Sequence, residues 1–235
     1  MKSLYFGNRL EVENAYIITV KGNDKSETYS KRCQMSCASV GMPFKIWDAY
    51  DGTQNTIIPP EHHNSGSVMN ILKITDHYLT RGEVACALSH ISLWNHCALI
   101  DQPIVILEHD AIMVKKFENH LSYNSIIYLG GSEWAEQNWP ITHVPPHASE
   151  GPNYHFICRA HAYSIDPTMA KNLLSHVIKF GIVAPLDIMI RCDLFNITHL
   201  GLYAYDKNMD KVYDTTIKAR PEAGRTTQRN DKLEY

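Results

Sequence analysis

The sequence lacks the features that most readily assign a chain to a secreted, zinc-binding or membrane class. Its six cysteines stand at positions 33, 37, 86, 97, 158 and 192, without a CxxC pair or the paired spacing of a zinc ribbon. No apolar run approaches the ~20 residues of a membrane span, and the first residues lack the apolar core of a signal peptide. We therefore expect reduced, mostly buried thiols, no transmembrane segment and a cytoplasmic location.

An excess of charge of either sign is also missing. The 235 residues contain 22 Lys and Arg against 25 Asp and Glu, which gives a formal net charge of −3. No global basic field is available to drive binding to nucleic acids or membranes. A hydrophobic content of 44% with 20% charged residues is typical of a soluble globular protein, and the length fits one domain.

Strand and helix patterns alternate in the N-terminal part of the chain. The β-branched run at 15–20 predicts a strand that ends near Thr19, and residues 44–47 predict a second strand. Between them, residues 26–40 predict a helix with Ser26 as its N-cap and Met35 among its apolar positions. This βαβ order favours an α/β fold with a mostly parallel central sheet flanked by helices.

The pattern continues toward the C-terminus. Residues 82–100 carry apolar side chains at helical spacing, and the wholly apolar run at 104–107 is typical of the centre of a parallel sheet. Residues 125–129 predict another strand, and Asp166 followed by Pro167 predicts the start of a helix. These elements belong to one predicted domain.

Three stretches show no sustained period. Residues 53–80 and 131–153 are predicted as long loops, the second of them rich in aromatic side chains. Residues 206–235 are rich in charge and poor in large apolar groups, which predicts a partly ordered C-terminal arm. The folded domain is therefore expected to span residues 1–205.

Acidic side chains directly follow the apolar run at 104–107. Ligands of open α/β sheets bind outside the carboxyl ends of the strands, so residues that follow strands are candidates for a site. Glu108 and Asp110 lie two positions apart there, and their hard oxygens suit Mg²⁺ or Mn²⁺. From spacing alone a solvated turn is the favoured interpretation, so the assignment depends on its context.

That context is the segment 79–94, LTRGEVACALSHISLW, which precedes the triplet Glu108-His109-Asp110. The two together resemble glycosyltransferase family 25, the lipopolysaccharide-type and collagen-type galactosyltransferases, whose members carry a Gly-Glu-x-x-Cys-x-x-Ser-His stretch and then an apolar strand ending in an acidic triplet. The residues that match this stretch are Gly82, Glu83, Cys86, Ser89 and His90. Further agreement in family order extends the likeness to about residues 14–205, through segments 17–21, 31–32, 49–52, 160–163, 170–174 and 185–187.

The resemblance implies a single GT-A-like (Rossmann-like) domain that binds a nucleotide sugar over its sheet. It implies a hexosyl- or pentosyltransferase that uses a UDP-sugar, most simply UDP-galactose, and inverts the anomeric carbon. Mn²⁺ or Mg²⁺ is expected on Asp110, helped by Glu108, where it would stabilise the departing diphosphate. The donor-binding residues that the resemblance implies are Thr19, Lys21, Ala49, Asp51, Ser89, His90 and Glu108.

Inversion also requires a base that removes the acceptor proton. Asp187, at the opening of a predicted helix, is the first candidate for this catalytic role, and Glu83 is the second. For both, the alternative is an acidic residue that only complements the dipole of its helix. Asp51 has a similar alternative as a turn residue before Gly52.

Other side chains of these motifs also have two interpretations. Glu83, His90 and Trp94 share roughly one helical face and are candidates to flank the sugar, although a half-buried, hydrogen-bonded histidine and a core tryptophan are the commoner roles of these residue types. Tyr163 matches the family and is also explained by packing in a strand. His109 departs from the family, whose triplet usually has an acidic middle residue, and the sequence Lys21-Gly22-Asn23-Asp24 replaces the common Asp-Arg.

The sequence is compatible with more than one acceptor. A glycan is the expected acceptor, and the alternative is a hydroxymethylated base, or its sugar, in viral DNA. In that alternative, loop aromatics and basic residues of the arm would hold an extruded nucleotide; these are Trp134, Trp139, Tyr154, Lys218, Arg220, Arg225 and Arg229. A third hypothesis, motivated by His109, is a nucleotide-sugar-binding module without turnover.

Overall fold

A computed structural model describes residues 12, 14–53, 57, 60, 71–75, 79–118, 126–130, 157 and 160–205, with only the backbone of 199–202. The predicted loop 131–153 and the predicted arm 206–235 lie outside the described residues, as do the loop and arm residues named for the DNA alternative. The elements in chain order are β1 (Ala15–Thr19), α1 (Asp24–Ser39), β2 (Phe44–Asp48), α2 (Arg81–Ile100), β3 (Ile104–Glu108), β4 (Ile112–Met113), β5 (Ile126–Gly130), β6 (Ala162–Ile165), α3 (Pro167–Phe180), α4 (Leu186–Met189) and β7 (Ile197–Tyr205).

The strands form a single mixed sheet in the order β2-β1-β3-β6-β5-β7-β4. Strand β1 pairs in parallel with β2 and β3, and β5 pairs in parallel with β7. Strand β6 is antiparallel to both β3 and β5, and β4 is antiparallel to β7. The α/β class is confirmed. The expectation of a mostly parallel sheet is wrong, because β6 runs antiparallel to both of its neighbours and β4 runs antiparallel to β7.

Helices cover both faces of the central strand β3, as its wholly apolar sequence predicts. Ile104 and Ile106 pack into one core with buried residues of α2 and α3, whereas Val105 and Leu107 pack into a second core with α1. Successive side chains of a strand point to opposite faces. Glu108 therefore continues the α2 side of the strand.

Helix α1 starts three residues earlier than the sequence predicts. Asn23 is its N-cap and accepts a hydrogen bond from the Ser26 backbone N–H at 3.0 Å. The Ser26 hydroxyl instead accepts from the Val20 N–H at 2.9 Å, which ties the helix to the end of β1. Met35 was expected among the apolar positions but is 73% exposed, because Cys33 and Cys37 occupy the buried face.

Helices α2 and α3 start where the sequence predicts, within one residue. Thr80 and Glu83 form a reciprocal capping box at the start of α2. Asp166 caps α3 by accepting a hydrogen bond from the Met169 N–H at 2.8 Å, and Pro167 occupies the first helical position. Within the described ranges, none of the helices combines the length and apolar character needed to cross a bilayer.

We expect Asp166→Ala to lower the free energy of unfolding by about 1 kcal/mol, the usual cost of removing a helix N-cap. Urea unfolding followed by circular dichroism measures this difference. The matched control is Thr168→Ala, which changes an exposed residue of the same first turn and should stay within about 0.5 kcal/mol of the unmodified protein. Equal stability of both variants would contradict the capping role.

The five cysteines that the structure describes are all free thiols. Cys33, Cys37 and Cys97 are buried, whereas Cys86 and Cys192 are partly exposed. Cys158 lies outside the described residues. Burial raises the pKa of the Cys97 thiol, with the charge of Asp166 as the next cause. This thiol therefore stays protonated at neutral pH.

Candidate active site

The carboxyl ends of β1, β2 and β3 meet at one edge of the sheet. Ile18 of β1 is in register with Trp47 of β2 on one side and with Glu108 of β3 on the other. The Ala49 N–H donates to the Thr19 carbonyl at 2.8 Å, which extends the pairing past the strand ends. Residues that the sequence assigns to donor binding, Thr19, Ala49 and Glu108, thus lie at the same edge.

The segment after β2 is hydrogen-bonded to the first half of α2. The Tyr50 backbone N–H donates to the Ser89 hydroxyl at 2.9 Å, and that hydroxyl donates to the Ala85 carbonyl at 2.7 Å. Gly52 lies so close to α2 that a Cβ atom there would stand 2.6 Å from the Arg81 carbonyl oxygen. Ser89 therefore holds this segment in place through its backbone.

Asp51 forms its own turn in the same segment. Its Oδ1 accepts hydrogen bonds from the Thr53 N–H at 2.8 Å and from the Thr53 hydroxyl at 2.6 Å. The Thr19 hydroxyl is likewise engaged, since it donates to the Ser30 hydroxyl of α1 at 2.7 Å. Lys21, by contrast, is exposed just beyond β1.

Glu108 is the best-supported member of the site because two side chains of α2 converge on it. His90 Nε2 lies 3.4 Å from Glu108 Oε1, and the Cys86 thiol donates to the same oxygen at 3.7 Å. The His90 side chain is fully buried, whereas the Glu108 side chain is 28% exposed. Helix α2 thus contacts one oxygen of a carboxylate that still reaches the solvent.

The pKa of Glu108 reflects two opposing effects. Burial by itself raises it, but the hydrogen bond and charge of His90, together with the charges of His109 and His161, outweigh burial and lower the pKa to about 2. The carboxylate is therefore ionised throughout the neutral range. An ionised carboxylate at this edge is available to bind a cation.

The charges of three carboxylates influence the pKa of the Cys86 thiol. Burial raises its pKa well above the usual value, and the charges of Glu108, Asp187 and Asp110 raise it further. Cys86 is therefore a neutral thiol beside Glu108, to whose Oε1 it donates at 3.7 Å.

The turn that follows β3 separates the members of the triplet. The Ala111 N–H donates to the Glu108 carbonyl at 3.0 Å and closes the turn. The His109 ring stacks on Tyr29 of α1, with ring centroids 5.8 Å apart and planes 25° apart. Asp110 acts electrostatically on thiols of both helices, since its charge also contributes to raising the pKa of Cys33, after the contributions of Cys37 and of burial.

The two candidates for the base have different surroundings. The Glu83 carboxylate accepts hydrogen bonds from the Thr80 N–H at 2.9 Å and from the Thr80 hydroxyl at 3.0 Å, both within the capping box. Asp187 lies in the first turn of the four-residue helix α4, partly exposed, and its Oδ1 accepts from the Ile188 N–H at 3.0 Å. Of the two candidates, Asp187 is the one whose charge contributes to raising the pKa of Cys86, after burial and the charge of Glu108.

Two sets of side chains are chemically able to hold a cation. Ligand atoms of Cys86, His90 and Glu108 lie within 4.8 Å of one another. A metal-bound cysteine must be a thiolate, however, and the raised pKa of Cys86 opposes its ionisation. The carboxylates of Glu108 and Asp110 fit Mg²⁺ or Mn²⁺ better, because these ions prefer oxygen ligands.

Sequence reasoning missed the buried partners of Glu108. Cys86 and His90 are four residues apart on α2, a spacing that places both on one helical face and that points to a shared contact. The Tyr163 hydroxyl lies 2.8 Å from His90 Nδ1, although the two residues are 73 positions apart in the sequence. No local sequence pattern predicts such a contact. The capping role of Glu83 was recognisable from Thr80 three residues earlier.

A comparison with protein families locates the site within a known group of sequences. Residues 12–190 match the family described as "Glycosyltransferase family 25 (LPS biosynthesis protein)". This range covers well over half of the chain and contains Glu108, Asp110, Asp187 and the helix α2. No curated protein matches the chain.

Proposed function

Because the chain belongs to glycosyltransferase family 25 and is a glycosyltransferase, we propose that it moves a sugar from a UDP-sugar to an acceptor hydroxyl with inversion. UDP-galactose is the simplest donor. The observation that carries this proposal is the partly exposed Glu108 carboxylate, which Cys86 and His90 contact from α2 at the edge where β1, β2 and β3 end. Acidic groups at that edge suit a reaction that displaces a diphosphate.

Asp110 and Glu108 are the residues that would hold a divalent cation. When bound, the cation acts as a Lewis acid that neutralises charge on the leaving diphosphate. The low pKa of Glu108, about 2, keeps its carboxylate charged for this role. Lys21, Ala49 and Asp51 at the same edge of the sheet are proposed to orient the donor.

Asp187 is proposed as the general base. Direct inversion needs a carboxylate that accepts the acceptor proton as the new glycosidic bond forms. Asp187 is partly exposed, and its charge contributes to raising the pKa of Cys86, as do the charges of the two proposed metal ligands. Glu83, which is engaged by the capping box, is proposed only to fix the start of α2.

The donor nucleotide is proposed to lie over the ends of β1 and β2. Lys21, Ala49 and Asp51 stand directly beyond those strands and are the proposed contacts. Thr19 and Ser89 would act indirectly, because their hydroxyls bond to Ser30 and to the Tyr50 backbone. His90 would also act indirectly, from its buried position behind Glu108.

A panel of nucleotide sugars tests the proposed reaction. UDP release and sugar transfer are measured by mass spectrometry with Mn²⁺ or with EDTA, while glycan extract and hydroxymethylated DNA are offered as parallel acceptors. We expect a UDP-sugar to be consumed, EDTA to reduce turnover to background, and the glycan to be labelled. Undiminished turnover in EDTA would reject the cation, labelling of DNA alone would reject the glycan acceptor, and consumption of a non-UDP donor would reject the UDP-sugar.

A further inference from the structure

A buried chain of hydrogen bonds joins the sheet to α2 behind Glu108. Trp94 Nε1 donates to the Tyr163 hydroxyl oxygen at 2.9 Å, and that hydroxyl lies 2.8 Å from His90 Nδ1. The opposite ring nitrogen of His90, Nε2, lies 3.4 Å from Glu108 Oε1. Trp94, Tyr163 and His90 are all completely shielded from solvent.

The direction of the protons along this chain follows from the groups involved. An indole N–H only donates, so the Tyr163 oxygen accepts from Trp94, and its own hydrogen is free to be donated to Nδ1 of a neutral His90. The proton of that ring then resides on Nε2. If the ring is protonated, Nε2 also carries a proton, so a proton faces Glu108 in both states.

The hydroxyl of Tyr163 keeps its proton under all ordinary conditions. Burial raises the pKa of Tyr163 well above its usual value, and the neighbouring Cys86 and Glu108 add to this increase against the opposing hydrogen bond from Trp94. The ring of Tyr163 also stacks on that of His90, with planes 11° apart and centroids 5.7 Å apart. The plane of the His90 ring is thereby fixed.

Two side chains of α2 face the same oxygen of Glu108. His90 Nε2 and the Cys86 thiol both approach Oε1 from α2, at 3.4 Å and 3.7 Å. The distance from Nε2 is long for a hydrogen bond, so the attraction is mainly electrostatic. With Oε1 turned toward α2, Oε2 is the oxygen left for a ligand at the sheet edge.

We propose that Tyr163 and His90 are positioning residues that, fixed by Trp94, hold Oε1 of Glu108 against α2 so that Oε2 faces the bound cation. This inference rests on the proposed function and deepens it, because it names the side chains that orient a proposed metal ligand. Neither Tyr163 nor His90 contacts the donor or the cation. They act only through Glu108.

Tyr163→Phe tests the inference, because it removes one hydroxyl and preserves the ring. Mn²⁺ binding to the protein without donor is measured from the electron paramagnetic resonance signal of free Mn²⁺. We expect the dissociation constant to rise by roughly 10-fold or more, the usual effect of losing an outer partner of a metal ligand. In a Glu108→Gln background the same substitution should produce no further rise.

The chain offers a closely matched control in Tyr16→Phe. The Tyr16 hydroxyl lies 2.9 Å from Nε2 of His96, so it also joins the sheet to α2 through a histidine. Removing this second hydroxyl should also lower thermal stability, by less than Tyr163→Phe because its contact is only partly buried, but leave the dissociation constant for Mn²⁺ unchanged. A general loosening of the helix and sheet would instead weaken Mn²⁺ binding in both variants, and that result would overturn the inference.

The ring nitrogens of His90 provide a readout that does not depend on turnover. Their ¹⁵N chemical shifts should place the proton of the neutral ring on Nε2 in the unmodified protein and show a changed distribution in Tyr163→Phe. Unchanged Mn²⁺ binding in Tyr163→Phe, with Mn²⁺-dependent turnover intact in the unmodified protein, would overturn the inference alone. An unmodified protein that binds no Mn²⁺ would overturn both the proposed cation and the inference.

Discussion

Asp110→Asn is expected to reduce UDP release and sugar transfer by roughly 10²–10³-fold, the loss typical of removing one preorganised group that stabilises developing charge. The substitution keeps the size of the side chain and removes its negative charge. Asp110 follows Glu108, the last residue of β3, by two positions, and the charges of both contribute to raising the pKa of the Cys86 thiol. Steady-state kinetics across a range of Mn²⁺ concentrations measure the effect.

Asp101→Asn is the matched control, since it makes the same change at the opposite end of β3. Asp101 lies in the left-handed region with φ of 52°, a conformation that asparagine also tolerates. Its ion pair with Lys171, at 3.2 Å, is exposed and contributes little to stability. If both variants kept full activity, Asp110 would have no part in holding the cation.

Asp187→Asn should lower kcat by roughly 10²–10⁴-fold and leave the donor KM nearly unchanged, because a general base acts on the acceptor proton. Its contribution to the dipole of the short helix α4 is at most about 1 kcal/mol. The melting temperature should therefore change little. Single-turnover kinetics with saturating donor separate the chemical step from product release.

Asp193→Asn provides the comparison for Asp187. Asp193 follows α4 in sequence and pairs with Arg191 at 2.7 Å, with both side chains partly exposed. An exposed pair of this kind is worth about 0–1 kcal/mol, so activity should be retained. An Asp187→Asn enzyme with unreduced kcat would mean that another group removes the proton.

Local signals predicted the helices well and the sheet only in part. The cap at Asp166 and the apolar spacing of α2 depend on neighbouring residues, and both are visible in the sequence. The direction of β6 depends on the path of the chain between strands, which short-range patterns do not encode. The two-residue strand β4 exists only through its pairing with β7, so its sequence carries no strand signal of its own.

The candidate site divides in the same way. The family resemblance predicts Glu108, Asp110 and Asp187 as site residues from local features, since they follow a strand or open a helix, and their roles stay predictions. The engagement of Ser89 and Thr19 by neighbouring groups needs the tertiary structure. The same holds for Tyr163, which meets His90 only once β6 packs beside β3 and beneath α2.

The alternation of side chains along β3 and the following turn has a consequence for sequence variation in this triplet. His109 stacks on Tyr29 of α1, whereas Glu108 contacts Cys86 and His90 of α2, so the middle and first positions of the triplet face different neighbours. Position 109 can therefore change from an acidic residue to histidine while the contacts of Glu108 with Cys86 and His90 persist. Among descendants of a common ancestor, position 109 should vary together with position 29 and independently of positions 86 and 90.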